Sequence, residues 1–178
     1  MPGVPPVPTF VTNETLTSAD VNKLAAALNF ALTNRPLYRG HCLNSQAIGT
    51  SQYSVLAIDT TEVDTDGGRV GTGSGSERYV CRTPGWYTVS ATVSYQSNST
   101  GGRFAVIWVN GLPIPGGFTS VSNAGGDNCG VTLTTLIHMN ANDYLQLVAY
   151  QDSGVTIYTA INPAFQASAI SVSFELTG

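Results

Sequence analysis

The sequence predicts a mainly β protein, an antiparallel sandwich that follows an extended proline-rich leader and one α-helix. Three observations support this prediction. Several segments after Leu37 alternate apolar and polar residues, which is the period of a half-buried strand. Turn residues such as Asn110-Gly111 separate these segments, and only residues 17–34 have clear helical spacing. With 178 residues, the chain is long enough for one domain with its own core.

The leader covers residues 1–11 and has prolines at positions 2, 5, 6 and 8. Proline fixes φ and lacks an amide donor, so we expect an extended, polyproline-like segment. Such a segment has no internal hydrogen bonds, and we expect another surface to order it. The candidate residues for attachment to that surface are Pro5, Pro8 and Phe10.

Residues 17–34 form the predicted helix. Thr17 is a suitable N-cap, and Asp20, three residues later, forms a capping-box-like pair with it. The helix is expected to end before Pro36, because a proline disfavours helical geometry at the preceding residue, Arg35. The apolar positions have the 3, 4, 3 spacing of a heptad seam, and they are Val21, Leu24, Leu28 and Ala31. Two partners stay open for this seam: copies of the helix or a host surface, or the chain's own sandwich. Two heptads do not hold a coiled coil together alone, so an oligomer also needs contacts between sandwiches.

The strands follow in order along the rest of the chain. The clearest lie at 85–95, 103–114, 130–139, 143–150 and 168–176. The residues predicted to face inward are Tyr87, Val89, Ala91, Val93 and Tyr95, then Val131, Leu133, Thr135, Ile137 and Met139, then Ile170, Val172, Phe174 and Leu176. Weaker strands are expected near 38–44, 54–59 and 77–82, with a loop over 64–76.

The composition argues against several functional classes. Charged residues make up 10% of the chain, against roughly 25% in an ordinary soluble domain. The net charge is −4 and Lys23 is the single lysine, so the basic patch of a nucleic-acid binder is missing. No apolar run reaches the roughly 18 residues of a membrane span. The start lacks the features of a signal peptide, and we expect synthesis and folding in a cytosol.

Catalytic and cofactor motifs are also missing. His41 and Cys42 are neighbours on a predicted strand and so point to opposite faces, and His138 is predicted to face outward. The three cysteines, Cys42, Cys81 and Cys129, are expected to be small buried apolar residues. The eleven acidic residues form no obvious pair on one strand face, which argues against a glycan hydrolase. We therefore expect no enzymatic activity and no cofactor.

Two glycine-rich stretches loosely resemble a calcium-binding loop and a phosphate-binding loop. Residues 64–68 lack the spacing and the bidentate Glu of a calcium loop and are expected to form a turn. A metal ion held between subunits by such loops stays an alternative. Residues 71–76 lack the Gly-Lys-Ser/Thr of a phosphate loop and are expected to be flexible.

The aromatic residues on strands leave a binding site open. They serve either a core or subunit interface, or a sugar or peptide site. They are Trp86, Tyr87, Tyr95, Trp108, Tyr144, Tyr150 and Tyr158. The loops at 64–76, 96–102 and 119–129 are the candidates for contact with a receptor or glycan.

Four segments carry a family likeness. Residues 82–95, 105–111, 136–150 and 170–176 resemble, in order and spacing, the strands and turns of C1q/TNF-like jelly rolls. Asn142 stands where that family usually has glycine, which left-handed geometry at Asn permits. The resemblance spans about residues 77–176 and implies a homotrimeric jelly roll without enzymatic activity. The collagen repeat of animal C1q proteins is absent, which argues against a complement-type protein.

The front of the chain resembles small virion proteins of tailed phages that infect actinobacteria. The proline-rich leader, the helix start at residues 16–22 and the exit at Arg35-Pro36 carry this likeness. It implies a head decoration or minor tail protein on the virion exterior, with residues 1–36 for attachment and trimerisation and 37–178 as the jelly roll. The expected partners are copies of the chain and capsid or tail proteins, without nucleic acid or membrane. The alternative is a tail-borne module that binds a receptor or a host cell-surface glycan.

Overall fold

Two antiparallel sheets lie face to face in the computed structural model, which describes residues 5–11, 15–71, 77–122, 125, 127–162 and 166–177. The helix α1 (Ser18–Asn29) continues into a π-helical turn (Phe30–Asn34). The strands are β1 (Leu37–His41), β2 (Ala47–Ile48), β3 (Ser54–Val55), β4 (Thr60–Asp64), β5 (Arg69–Val70), β6 (Arg78–Val80), β7 (Gly85–Tyr95), β8 (Gly102–Val109), β9 (Leu112–Ser122), β10 (Cys129–Met139), β11 (Tyr144–Gln151), β12 (Ile157–Tyr158) and β13 (Ala169–Leu176). The predicted antiparallel sandwich after one helix is confirmed.

The order of the strands in each sheet differs from their order in the chain. One sheet has five strands in the order β10-β7-β13-β1-β4. The second has six, with β5-β6-β11-β8-β9 in a row and β3 paired to β11. Strands β12 and β2 form a small two-stranded sheet. Strands far apart in sequence therefore lie side by side, as in a jelly roll.

The core lies between the two large sheets and follows the predicted alternation. The inward residues of β7, from Tyr87 to Tyr95, are at most 3% exposed. Those of β10 meet them, because β10 pairs with β7 along its whole length. Strands β8 and β11 close the core from the other side with Ile107 and Leu147.

The helix begins as the sequence predicts. The Thr17 amide donates to the Asp20 carboxylate at 3.1 Å, and the Asp20 amide donates to the Thr17 hydroxyl at 3.3 Å, which completes the capping box. Arg35 is extended (ψ 134°), as expected before Pro36. The turn at Asn110-Gly111 has φ values of 52° and 79° and joins β8 to β9 as a tight hairpin. Asn142 has a φ of 74°, in the left-handed region predicted for it.

Three predictions are wrong in detail. The expected loop at 119–129 begins inside strand β9 (Leu112–Ser122) and ends on the first residue of β10. Leu176 was expected to face inward, but it lies opposite Trp86 and is 56% exposed. A register shift between Phe174 and Leu176 adds a residue to β13, and this bulge turns Leu176 outward. The expected loop at 64–76 contains the strand β5, whose residues pair with β6. Residues 72–76 of that loop lie outside the described part of the chain.

Candidate interaction surfaces

The helix presents its predicted seam to solvent. Val21, Leu24 and Leu28 are 54%, 48% and 56% exposed, and Ala31 is exposed as well. No residue of α1 is buried. The structure thus brings the seam residues onto one face of the helix, and that face is exposed in the described part of the chain.

Phe30 joins the helical segment to the sandwich. Its ring meets the Phe174 ring edge-on, with centroids 5.6 Å apart, and Phe30 packs against the core. At 100° per residue, Phe30 lies well away from the line through Val21, Leu24 and Leu28. The contact with the sandwich therefore does not use the seam, which disagrees with the interpretation in which the seam packs on its own sandwich.

The described part of the leader is also exposed. Phe10 is 48% exposed, and Val7 and Val11 are 68% and 72% exposed. Pro5 and Pro8 are partly exposed. Their role in attachment stays a prediction.

An apolar patch lies on the outer face of the five-stranded sheet, at the end from which the helix leaves. One cross-strand row on this face consists of Leu136, Thr88, Ser173 and Leu37. In the adjacent row, Trp86 lies opposite Leu176. We call Leu37, Trp86, Leu136 and Leu176 the outer patch, and they are 41%, 36%, 56% and 56% exposed. The sequence did not indicate this patch, because each of its residues comes from a different strand and the register that joins them is not visible in the sequence.

The other half of the same face is polar. It forms an open groove of about 920 Å³ lined by hydroxyl side chains of β7, β10 and β13 and by the amide side chains of Asn128, Asn162 and Gln166. The Thr92 and Thr132 hydroxyls are 2.9 Å apart, and Ser90 pairs in the same way with Thr134. Such cross-strand pairs hold the register of β7 and β10.

A charged cluster borders this polar half. The Glu62 carboxylate accepts from Arg39 Nε at 2.7 Å and lies 2.8 Å from His41 Nδ1. The hydrogen bond from Arg39, followed by that from His41, lowers the pKa of Glu62. His41 is thus engaged at the surface while its neighbour Cys42 is 1% exposed, and the predicted separation of the two side chains is confirmed.

The cysteines are placed as small interior residues. Cys42 and Cys81 are buried and Cys129 is partly buried, all as free thiols. Burial raises the pKa of Cys42 to about 12 and also raises the pKa values of Cys81 and Cys129. Because the thiolate is the nucleophilic form, none of the three is prepared for covalent catalysis. His138 is exposed, as predicted.

The turn at 64–68 uses its carboxylates internally. Asp64 accepts from the amides of Gly68 and Arg69, each at 3.0 Å. Asp66 accepts from the Tyr79 hydroxyl at 2.9 Å. Within the described ranges there is no group of three or more His, Cys, Asp or Glu side chains placed to hold a metal ion. None of the described helices is long and apolar enough to cross a membrane.

The aromatic residues do not form one site. Tyr87 and Tyr95 lie in the core, while Trp86 lies in the outer patch and next to the His138 ring at 5.4 Å. Trp108 and Tyr150 lie on the outer face of the six-stranded sheet, where Tyr53, Phe104 and Phe118 join them. Tyr144 stacks under Arg78, and Tyr158 is 48% exposed on β12. Tyr53, Phe104 and Phe118 were not predicted from the sequence, although outward alternation along β8 and β9 could have indicated the last two.

Comparison with solved structures identifies the same architecture elsewhere. The globular domain of a zebrafish complement 1qA protein matches with a TM-score of 0.56 and 10% identity, over 80% of this chain and 98% of that chain. Murine APRIL at pH 5.0 matches with a TM-score of 0.58 and 9% identity, over 79% and 99%. The Eiger TNF of S. frugiperda matches with a TM-score of 0.58 and 12% identity, over 81% and 96%. The C1q/TNF-like jelly roll is therefore confirmed as the fold.

No protein-family model matches the chain, and no curated protein sequence matches it.

Proposed function

We propose that the protein is a non-enzymatic structural protein of a phage particle, a homotrimer that decorates the virion exterior as a head decoration or minor tail protein. Residues 1–36 anchor it, and the jelly roll of residues 37–178 projects outward. The observation that carries the proposal is the uncovered seam of α1. The apolar face of this capped helix is exposed in the described part of the chain, and an exposed apolar face is best explained by a partner outside the chain.

The position of the outer patch supports self-association. The patch lies on the face of the sheet beside the exit of the helix, since Leu37 follows Pro36 directly. Large exposed apolar residues grouped on one surface mark interaction sites. The outer patch and the seam offer the two contacts that a trimer with a short helical bundle needs.

The fold supports the same conclusion. Solved structures with this jelly roll include proteins named for complement 1q and TNF. The resemblance of the strands to that family implies a homotrimer. A closed symmetric oligomer covers the patch on every copy. It also presents three leaders side by side, so that weak contacts with a particle add up through avidity.

Particle attachment and phage origin come from the likeness of the leader and helix to small virion proteins. The exposed apolar residues of the leader, Val7, Phe10 and Val11, supply the surface that such an attachment requires. The raised pKa of the buried Cys42 thiol argues against a role for it as a nucleophile, in keeping with a non-enzymatic protein.

The mass of the full-length protein in solution tests the role of the seam. Native mass spectrometry of the full chain is expected to give three 18.6 kDa subunits. The double variant Leu24→Gln/Leu28→Gln is expected to shift the population toward monomer, because glutamine keeps the helix but removes the apolar seam. The matched control is Ala19→Gln/Ala26→Gln on the opposite face of the same helix, which should stay trimeric. A monomeric full-length protein at micromolar concentration would contradict the trimer, and a trimeric seam variant would remove the seam from the interface.

A further inference from the structure

A strip of aromatic rings runs across the outer face of the six-stranded sheet. The centroids of Tyr53 and Tyr150 are 4.9 Å apart, those of Tyr150 and Phe104 are 5.1 Å apart, and those of Phe104 and Phe118 are 5.6 Å apart. The two rings at the ends, Tyr53 and Phe118, are 58% and 55% exposed. The strip is on the sheet opposite to the one that carries the outer patch.

A small groove opens beside this strip. It has a volume of about 330 Å³ and is lined by Gly101, Gly102, Phe104, Ser120, Val121 and Ser122. Ser120 lies directly opposite Phe104 in the β8–β9 ladder. The groove thus combines an aromatic wall with hydroxyl groups and glycine backbone, and its size is at the lower end of small-ligand sites.

The loop beside the groove is held rigidly by a buried arginine. Arg103 is 1% exposed, and its guanidinium donates to the carbonyls of Thr100, Gly102 and Asn98 at 3.0, 2.9 and 2.9 Å. The Gly102 amide donates to the Asp152 carboxylate. A Cβ at Gly102 would lie 2.8 Å from the Phe104 ring, so the ring packs directly on the backbone at the start of β8. The groove is therefore preformed, which lowers the cost of ordering on binding.

The charges near the groove favour a neutral ligand. The Arg103 guanidinium is turned inward and satisfied by carbonyls, so it does not offer a cation to the ligand. Asp152 holds an exposed carboxylate next to Gly101 and Gly102, which disfavours an anionic ligand. The lining residues carry no charge of their own.

From these features we infer a binding site for a neutral saccharide, in which sugar rings stack on the strip at Phe104 and Phe118 and sugar hydroxyls bond to Ser120, Ser122 and the loop backbone. Stacking supplies apolar contact on the faces of the sugar, and hydroxyl groups match the polar rim. The inference goes beyond the structural role proposed above and does not depend on the trimer or on particle attachment.

Titration calorimetry with maltotetraose, cellotetraose and mannotetraose tests the site on the full chain. At least one neutral tetrasaccharide is expected to bind saturably with a Kd of about 1 mM or tighter. Phe118→Ala removes an exposed stacking ring and is expected to weaken binding about tenfold. Ser122→Arg obstructs the groove without changing an aromatic ring and is expected to weaken sugar binding to a similar extent. This second variant tests the site if Phe118→Ala fails to fold.

The matched control is Leu112→Ala, because Leu112 is 68% exposed on the same strand β9 but at its far end, beside the Asn110-Gly111 turn. This variant is expected to bind like the wild type. The inference is overturned if none of the three sugars binds at about 10 mM, or if both groove variants bind like the wild type. Equal or tighter binding of tetragalacturonate would overturn the neutral assignment. Preferential binding of a peptide with residues 1–11 would make the groove a site for the leader instead.

Discussion

Asp66 is a buried carboxylate in the turn between β4 and β5. It is 5% exposed, and its Oδ2 accepts from the Tyr79 hydroxyl at 2.9 Å. Its Oδ1 has no hydrogen-bond partner among the described residues. Burial raises the pKa of Asp66, the hydrogen bond from Tyr79 lowers it in part, and the charge of Asp64 raises it again. The folded protein therefore favours the neutral form of this side chain more than the unfolded chain does.

Asp66→Asn is expected to stabilise the protein at neutral pH. The amide oxygen can still accept from Tyr79, while the charge near Asp64 is removed. A group with a raised pKa gives stability that is present below its unfolded pKa and is lost as the pH rises through its folded pKa. The gain of the variant is therefore largest at pH 7, at about 1 kcal/mol, and it disappears toward pH 3. Denaturant unfolding at both pH values measures it.

Asp127→Asn is the control for this prediction. Asp127 is exposed, and its replacement is expected to leave the free energy of unfolding within about 0.5 kcal/mol of the wild type. An Asp66→Asn variant that is less stable than the wild type at pH 7 would show that the charged form of Asp66 is needed for the turn.

At the scale of the element, an aromatic contact between Phe30 and Phe174 ties the helical segment to the sandwich. Phe30→Ala removes the edge-on contact with Phe174, which is worth about 1 kcal/mol beyond the area buried. We expect faster hydrogen exchange of the amides in α1 and the π-helical turn, with little change in the sandwich strands. Leu32→Ala is the control on the same segment, since Leu32 is 71% exposed. Exchange that is unchanged in Phe30→Ala, or that increases equally in the strands, would contradict this attachment.

The same scale explains what the sequence could predict of the fold. Long alternating strands such as β7 and β10 were predicted with their inward faces, because eleven residues contain several periods of two. The two-residue strands β2, β5 and β12 are shorter than any periodic signal and depend on their partners. Leu176 was assigned to the wrong face because a bulge shifts the alternation by one residue, and such a bulge leaves no mark in the sequence.

Of the candidate surfaces, some were predictable from the sequence and others were not. The seam on α1 was predictable, because all of its residues lie on one helix and helical spacing alone places them together. The outer patch and the aromatic strip each combine residues from several strands, so they require the cross-strand register. For Phe104 and Phe118, the sequence indicates an outward face but not that the two rings meet.

For the whole molecule, the buried core and the exposed apolar residues of the leader and helix lie in different parts of the chain. The core residues belong to the sandwich after Pro36, whereas the helix contributes Phe30 as a partly buried cover. The seam and the leader are exposed and add little to the stability of a single chain. Their apolar residues are therefore better explained by contacts with other molecules than by the needs of the fold.

A fragment of residues 37–178 is expected to fold, with a free energy of unfolding within about 2 kcal/mol of that of the full chain. The fragment lacks Phe30, which packs over Phe174, but it loses no fully buried residue of α1. Phe174→Ala in the full chain is the matched comparison, and it is expected to cost about 3–5 kcal/mol because Phe174 is 3% exposed in the core. Denaturant unfolding of the three proteins measures this order.

In co-sedimentation with virions, the folded fragment is expected to stay in the supernatant while the full chain pellets with the particles. Pelleting of the folded fragment would place the anchor on the sandwich, and a fragment that does not fold would show that the leader and helix belong to the fold itself.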